Sequence, residues 1–128
     1  MPKTAKDLTQ EEMARYKESY RQRKIQLNLI INKRYEDAWK IAQEAAQVLY
    51  TIFQAKKVKV FGSLINRSRF HQWSDIDLAV WGIPDEIYLR AYRAMIDFSP
   101  DFKIDLVDFD ECSPLLREII QMEGIEIK

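Results

Sequence analysis

Three aspartates and one Gly-Ser pair are the residues of this sequence whose types and spacing suggest chemistry. Asp75 and Asp77 flank Ile76 at the start of a predicted strand, and because side chains alternate across a strand, both carboxylates point to one face. Asp105 has a similar place on a later predicted strand, so pairing of the two strands brings a third carboxylate beside the first two. Oxygen ligands in this arrangement suit Mg²⁺, with water and substrate phosphates completing its coordination.

The charges of these carboxylates favour a bound cation. Unit charges about 4 Å apart repel by about 4 kcal/mol at an effective dielectric constant of about 20. An Asp-x-Asp by itself is more often an ordinary strand end. Here, however, Gly62 and Ser63 end the preceding predicted strand, where glycine lets the backbone approach phosphate oxygens and serine adds a hydroxyl and an N–H donor.

Composition narrows the class of protein. The chain has 128 residues, 47% of them hydrophobic, which is enough for one domain. Its 20 basic and 20 acidic residues cancel, so nucleic acid is not expected as the main partner. Cys112 is the only cysteine, which excludes an internal disulfide and a cysteine zinc site. With no apolar export signal and no membrane-length apolar segment, a cytoplasmic protein without membrane attachment is expected.

A long helix is predicted before the strands. Between Pro2 and Gly62 there is no glycine or proline, and apolar residues recur at spacings of three and four. Thr9-Gln10-Glu11-Glu12 is typical of a capping box, so the helix should start near Thr9. At about 1.5 Å per residue, about 45 residues span about 65 Å, which exceeds the width of so small a domain. We expect the charged first half, Glu11–Arg34, to project or fold back as a docking segment for another chain, although the sequence leaves the continuity of the helix open.

The remaining elements predict an α/β (α+β) fold. It has a small mixed sheet of about three strands, with helices packed on one side and the long helix at the N-terminus. Residues 1–56 form the long helix and residues 57–128 the core of a single domain. The predicted elements after the first helix are strands Val58–Phe61 and Ile76–Trp81, helix Ile87–Asp97, strand Ile104–Phe109, helix Ser113–Met122 and a short tail, Gly124–Lys128.

In combination, these motifs resemble a known family. Val60-Phe61-Gly62-Ser63, then Ser74-Asp75-Ile76-Asp77-Leu78-Ala79-Val80 and Ile104-Asp105-Leu106-Val107-Asp108, are similar to the minimal nucleotidyltransferase (MNT) family of the DNA polymerase β superfamily. The resemblance runs from about Lys57 to Gly124 and implies the nucleotidyltransferase fold. It also implies that Asp75, Asp77 and Asp105 are catalytic and hold Mg²⁺, and that Gly62 and Ser63 hold the triphosphate of a nucleotide.

The loop before Asp75 departs from the family pattern. Leu64–Ser74 is one residue longer than usual, and Ile65-Asn66-Arg67 replaces the common Ala-Arg-Gly. In the family, a loop arginine contacts phosphate, and here that contact must come from Arg67 or Arg69. The sequence does not show which of the two makes it, and either arginine could instead be a solvated loop residue. His71 is expected to serve loop packing, whereas Asp105 is the better general base, because it lies between metal and attacking hydroxyl.

The resemblance also implies an activity. Proteins of this size and family resemble antitoxins that silence HEPN-type RNase toxins by adenylylating a tyrosine, with ATP as the substrate. We therefore predict a Mg²⁺-dependent adenylyltransferase that acts as the antitoxin of such a toxin. One alternative is nucleotidyl transfer to a small molecule such as an aminoglycoside. The other is a non-catalytic antitoxin that inhibits by binding alone. The sequence leaves open the acceptor, the number of AMP units, the nucleotide preference and the oligomeric state.

Overall fold

The computed structural model describes residues 9–128. Its first element is one uninterrupted helix, α1 (Gln10–Thr51, 42 residues). Thr9 is the N-cap, and its hydroxyl oxygen accepts a hydrogen bond from the Glu12 N–H at 3.1 Å. This contact satisfies a backbone donor that the first helical turn leaves without an intrahelical acceptor. The predicted helix start is confirmed, and α1 is continuous.

The two halves of α1 differ in burial. Residues 10–30, called the arm below, are exposed apart from the half-buried Glu12. From Ile31 onward, one face of α1 is buried by small and aliphatic side chains, so only this second half of α1 packs against the sheet. Despite the length of α1, the described residues contain no helix that is apolar enough to cross a membrane. The buried residues of α1 are Ile31, Ala38, Ala42, Ala45, Ala46 and Leu49.

The sheet has four strands in the order β3-β2-β1-β4. Strand β1 is antiparallel to β2 and to β4, whereas β2 and β3 are parallel. Parallel neighbours need a crossover connection, which here is helix α2. The bounds are β1 Lys57–Phe61, a 3₁₀ turn Gly62–Ile65, β2 Ile76–Trp81, α2 Asp85–Ile96, β3 Ile104–Asp108, α3 Pro114–Glu123 and β4 Ile125–Ile127.

Both faces of the sheet are covered. On one face, Val60, Leu78 and Ile104 pack in the main core with side chains of α1 and α2. On the opposite face, Phe61 and Ala79 form a smaller cluster with Ile120 of α3. The predicted α/β class with a long N-terminal helix is confirmed, with two corrections. The sheet has four strands rather than about three, and α3 lies on the side opposite α1 and α2.

The extra strand comes from the C-terminal tail. Residues Ile125–Ile127 pair with Val58–Val60 of β1, although so short a segment shows no strand periodicity of its own. The hydroxyl of Tyr50 joins three elements here, because it donates to the Ile127 carbonyl and accepts from the Val58 N–H at 2.9 Å. A partly buried side chain of α1 thus fixes both β1 and β4.

Substituting Tyr50 by phenylalanine should therefore destabilise the fold. The variant leaves the Val58 N–H and the Ile127 carbonyl without this partner, which costs about 1–3 kcal/mol of unfolding free energy. Urea denaturation measures the change. The control is Tyr16→Phe, because Tyr16 is exposed on the arm. Equal stability of the Tyr50→Phe and Tyr16→Phe proteins would contradict the joining role.

Candidate functional site

Strand register places Asp77 beside Asp105. The two residues are direct partners in the parallel pair of β2 and β3, and Phe61 of β1 lies on the other side of Asp77. By alternation along β2, Asp77 points to the same face as Ala79, which is the face covered by α3. Both carboxylates are half-buried. The predicted pairing of these two aspartates is thus present in the sheet.

Asp75 lies one residue before β2 and is also half-buried. The Ile76 N–H donates to the Lys103 carbonyl at 2.9 Å, which fixes the start of β2 against the start of β3. Asp75 is close enough to Asp77 for its negative charge to raise the pKa of Asp77. The structure therefore brings all three predicted aspartates to one end of the β2–β3 pair.

Asp77 carries the strongest electrostatic perturbation of the three. Burial raises its pKa from 3.8 to about 6, assisted by the charges of Asp105 and Asp75 and by a hydrogen bond with Asp105. The charge of Lys103 opposes the increase in this pKa. Lys103 Nζ lies 3.7 Å from Asp105 Oδ1, but the lysine side chain is 67% and the aspartate side chain 43% exposed. A surface ion pair of this kind offsets little of the repulsion between the carboxylates.

Gly62 lies directly against the Asp77 carboxylate. A Cβ atom at this position would be 2.3 Å from Asp77 Oδ2, and the backbone has a φ of +76°. Both the short contact and the positive φ disfavour a residue with a side chain at this position. Leu64, buried in the main core, anchors the 3₁₀ turn that begins at Gly62, and the next residue in this turn, Ser63, is half-buried.

The two loop arginines have other partners in this structure. Arg67 Nε donates to Asn32 Oδ1 of α1 at 2.7 Å, and its Nη1 donates to the Phe70 carbonyl at 3.4 Å. Arg69 Nη2 lies 3.6 Å from Glu123 Oε2 at the end of α3. Within residues 9–128, neither guanidinium forms an ion pair with the three aspartates. The structure thus assembles the aspartates with Gly62 and Ser63, but it does not bring the arginines into that group.

The loop before Asp75 is held by contacts that were not predicted from the sequence. Ser74 is buried and its hydroxyl accepts from the His71 N–H at 2.9 Å, while His71 Nδ1 accepts from the Trp73 N–H at 3.1 Å. These hydrogen bonds fix the chain just before the carboxylates, in line with the loop role expected for His71. A buried serine cannot be recognised from its type alone, since serine is mostly exposed. Lys103 was also not predicted, and only its place two residues before Asp105 could have suggested it.

The donor set suits a divalent metal. Among the residues that the structure describes, no three acidic, histidine or cysteine side chains already converge as a metal site. Asp77 and Asp105 nevertheless offer adjacent carboxylate oxygens, the ligand type that Mg²⁺ prefers. The like charges that raise the pKa of Asp77 are the kind that a divalent cation neutralises. Gly62 keeps the space beside Asp77 free of a side chain.

Comparison with protein families identifies the class. The family model described as Polymerase beta, Nucleotidyltransferase matches residues 43–128, which is more than half of the chain. The protein therefore belongs to this nucleotidyltransferase family. A comparison with curated proteins found no match.

Solved structures show the same fold. One is described as a toxin–antitoxin with AMP-PNP; it is 21% identical, with a TM-score of 0.52 over 67% of this chain and 70% of that chain. Another is a mutant of the toxin–antitoxin MntA-HpeT, 22% identical, with a TM-score of 0.52 over 66% of this chain and 69% of that chain. At these identities the likeness establishes a common fold.

The raised pKa of Asp77 predicts a pH-dependent stability change in Asp77→Asn. The folded state holds the Asp77 proton more tightly than the unfolded state, so the stability contributed by this group is lost as the pH rises from about 4 through about 6. Asparagine does not ionise, so at pH 8 the variant should be more stable by about 1–2 kcal/mol, allowing for partial exposure. The gain should shrink towards pH 5. Urea denaturation without divalent metal at both pH values measures it.

The control for this experiment is Asp101→Asn, a substitution of an exposed aspartate. Its effect on unfolding free energy should be small and nearly equal at the two pH values. If Asp77→Asn instead destabilises the protein at pH 8, or changes it equally at both pH values, the carboxylate repulsion described above is contradicted.

Gly62→Ala should abolish nucleotide binding. Gly82→Ala is the matched control, because Gly82 also has a positive φ, of +79°, but its added Cβ is crowded by Lys56 side-chain carbons and not by an aspartate. Both variants should lose at least about 1 kcal/mol of stability, because the backbone conformation is unfavourable for alanine and the added Cβ is crowded. Only Gly62→Ala also displaces the Asp77 carboxylate. Calorimetric titration with Mg²⁺ and ATP distinguishes them, and wild-type affinity in Gly62→Ala would show that the turn does not form the nucleotide site.

Proposed function

We propose that this protein transfers AMP from ATP, with Mg²⁺, to a hydroxyl group of a partner protein. The proposed acceptor is a tyrosine of a HEPN-type toxin, so that the chain acts as an antitoxin. The observation that carries the catalytic part is the pairing of Asp77 with Asp105 beside the Gly62 backbone. A family whose name is Nucleotidyltransferase supplies the reaction class.

Each site residue has a role in the proposed reaction. Asp75, Asp77 and Asp105 hold Mg²⁺, which when bound neutralises phosphate charge and stabilises the leaving pyrophosphate. The N–H groups of the Gly62-Ser63 turn and the Ser63 hydroxyl donate to triphosphate oxygens. The acceptor hydroxyl oxygen bonds to the α-phosphorus, the bond from that phosphorus to pyrophosphate breaks, and Asp105 accepts the hydroxyl proton.

Of the two loop arginines, Arg69 is the better phosphate ligand. Its pairing with Glu123 joins half-exposed side chains at 3.6 Å, so the guanidinium can leave that contact at little cost. Arg67 has a short hydrogen bond to Asn32 and a second one within its own loop. We therefore assign a structural role to Arg67 and triphosphate binding to Arg69.

The similar structures support the proposed partner. Both are described as toxin–antitoxin structures, and one of them contains AMP-PNP, an analogue of ATP. The exposed arm adds a specific reason to expect a protein acceptor rather than a small molecule. The exposed apolar side chains along residues 10–30 suit contact with another protein surface.

Intact-mass spectrometry tests the proposal. The chain is co-expressed with the protein encoded by the adjacent gene, and the purified proteins are incubated with ATP and Mg²⁺. The partner should gain the mass of one AMP or a multiple of it. The Asp75→Asn/Asp77→Asn variant should copurify with the partner but leave its mass unchanged, because it lacks two of the proposed metal ligands.

Two results would overturn the proposal in different ways. If the wild-type proteins copurify with unchanged masses and the partner is still neutralised, inhibition is by binding alone. If the two proteins neither copurify nor react, while the chain still consumes ATP with a small hydroxyl compound, the acceptor is a small molecule.

A further inference from the structure

The arm carries an exposed apolar stripe. Met13, Tyr16, Tyr20 and Leu27 follow one another at spacings of three, four and seven residues, which places them on one side of the helix. All four are exposed; Tyr16 is 64% and Tyr20 59% accessible. Exposed aromatic and aliphatic side chains in a continuous row mark interaction sites more often than single exposed residues do.

The stripe leads towards the catalytic end of the sheet. Four residues after Leu27, Ile31 enters the main core, and the next residue, Asn32, accepts the hydrogen bond from Arg67. Tyr35 packs edge-on against Phe70, with ring centroids 5.4 Å apart. Arg67 and Phe70 belong to the loop that ends at Asp75. The Leu27 end of the stripe therefore lies next to the part of α1 that contacts this loop.

The charges around the stripe are basic. Two shallow grooves along the arm include Tyr20 and Lys24, and neither is lined by an acidic side chain. Glu18, the acidic residue in the middle of the arm, is held instead by Arg21 at 3.0 Å and by Gln22 at 3.1 Å. The grooves are lined by Tyr16, Lys17, Tyr20, Arg21 and Lys24, and by Tyr20, Arg23, Lys24, Leu27 and Asn28.

We propose that this stripe docks an amphipathic helix with acidic flanks on the protein that receives AMP, and thereby presents the acceptor to the site. Tyr16, Tyr20 and Leu27 provide the apolar contact, and the lysines and arginines beside them select the acidic partner. The identity of that partner rests on the proposed function, whereas the docking chemistry rests on the arm itself.

Other occupants fit the arm less well. An antiparallel pairing of two arms about the middle of the stripe, near residue 20, would bring Lys17 of one copy close to Lys24 of the other, which is a like-charge contact. Nucleic acid would use the basic residues but leave the aliphatic part of the stripe in water. An acidic helix satisfies both the charges and the apolar row.

Binding measurements with arm variants test the inference. They use the Asp75→Asn/Asp77→Asn background, so that the partner encoded by the adjacent gene stays unmodified during calorimetric titration. Tyr16→Ala/Tyr20→Ala should weaken binding about tenfold or more, since buried tyrosines dominate interfaces. Lys24→Glu should also weaken binding, and the affinity of the unmodified arm should fall as salt is raised.

Matched controls lie elsewhere on the arm. Leu29 is 64% exposed and follows Tyr20 by about two and a half turns at about 3.6 residues per turn, which places it on the opposite side. Leu29→Ala and Arg15→Glu should bind as tightly as the unmodified arm. Alanine favours helix, so circular dichroism should be unchanged in all alanine variants.

The outcomes separate this inference from the proposed function. If the tyrosine variant binds the partner with unchanged affinity, and in the active background still transfers AMP, the docking inference fails and the function stands. If the partner binds through the tyrosines but is never modified, docking stands and the transfer fails. A dimer of the chain that the tyrosine variant abolishes, or binding of an RNA oligonucleotide through the same tyrosines in place of the partner, would overturn the docking inference.

Discussion

The repulsion between the adjacent carboxylates of Asp77 and Asp105, on parallel strands, is the constraint on which the rest of this molecule depends. Asp77 and Asp105 are direct neighbours in the sheet, and burial together with like charge raises the pKa of Asp77 to about 6. A sheet built only for stability would not oppose two anions in this position. The arrangement makes sense if a divalent cation and the phosphates that accompany it are present when the protein works. The cluster of Asp75, Asp77 and Asp105 thus lowers the free energy of unfolding but holds the three carboxylates ready for a cation.

The remaining fold supplies the stability that this cluster lacks. The parallel contact of β2 with β3 requires a crossover, and α2 provides it while packing Met95 into the main core. The buried half of α1 covers the same face with alanines, which allow the helix to approach the sheet closely. The opposite face is divided along its length. Its apolar part is closed by α3, and the end that holds the carboxylates stays accessible beside Gly62.

Features that depend on neighbouring residues were predictable from the sequence, and features that depend on distant packing were not. The cap at Thr9, the strands that carry the aspartates and the special backbone at Gly62 each follow from a short pattern. The side of the sheet taken by α3 does not, because Ile120 finds its partners on three other elements. The pairing of β4 was missed for the same reason. Tertiary contacts also decide the partner of each loop arginine. Arg67, for example, donates a hydrogen bond to Asn32 of α1.

The loop between the 3₁₀ turn and β2, which departs from the family pattern, is attached to α1. Arg67 lies where the chain leaves the 3₁₀ turn, and it reaches across to Asn32 on α1. Phe70, buried against Tyr35, makes a second contact to the same helix. The loop that delivers Asp75 is thereby anchored at the point where α1 stops being buried and becomes the arm. Two side-chain contacts join the loop to α1 at this point, and the second of them, between Phe70 and Tyr35, belongs to the main core. Arg67, which makes the loop unusual for its family, therefore connects α1, where the arm begins, to the loop that leads to the three aspartates.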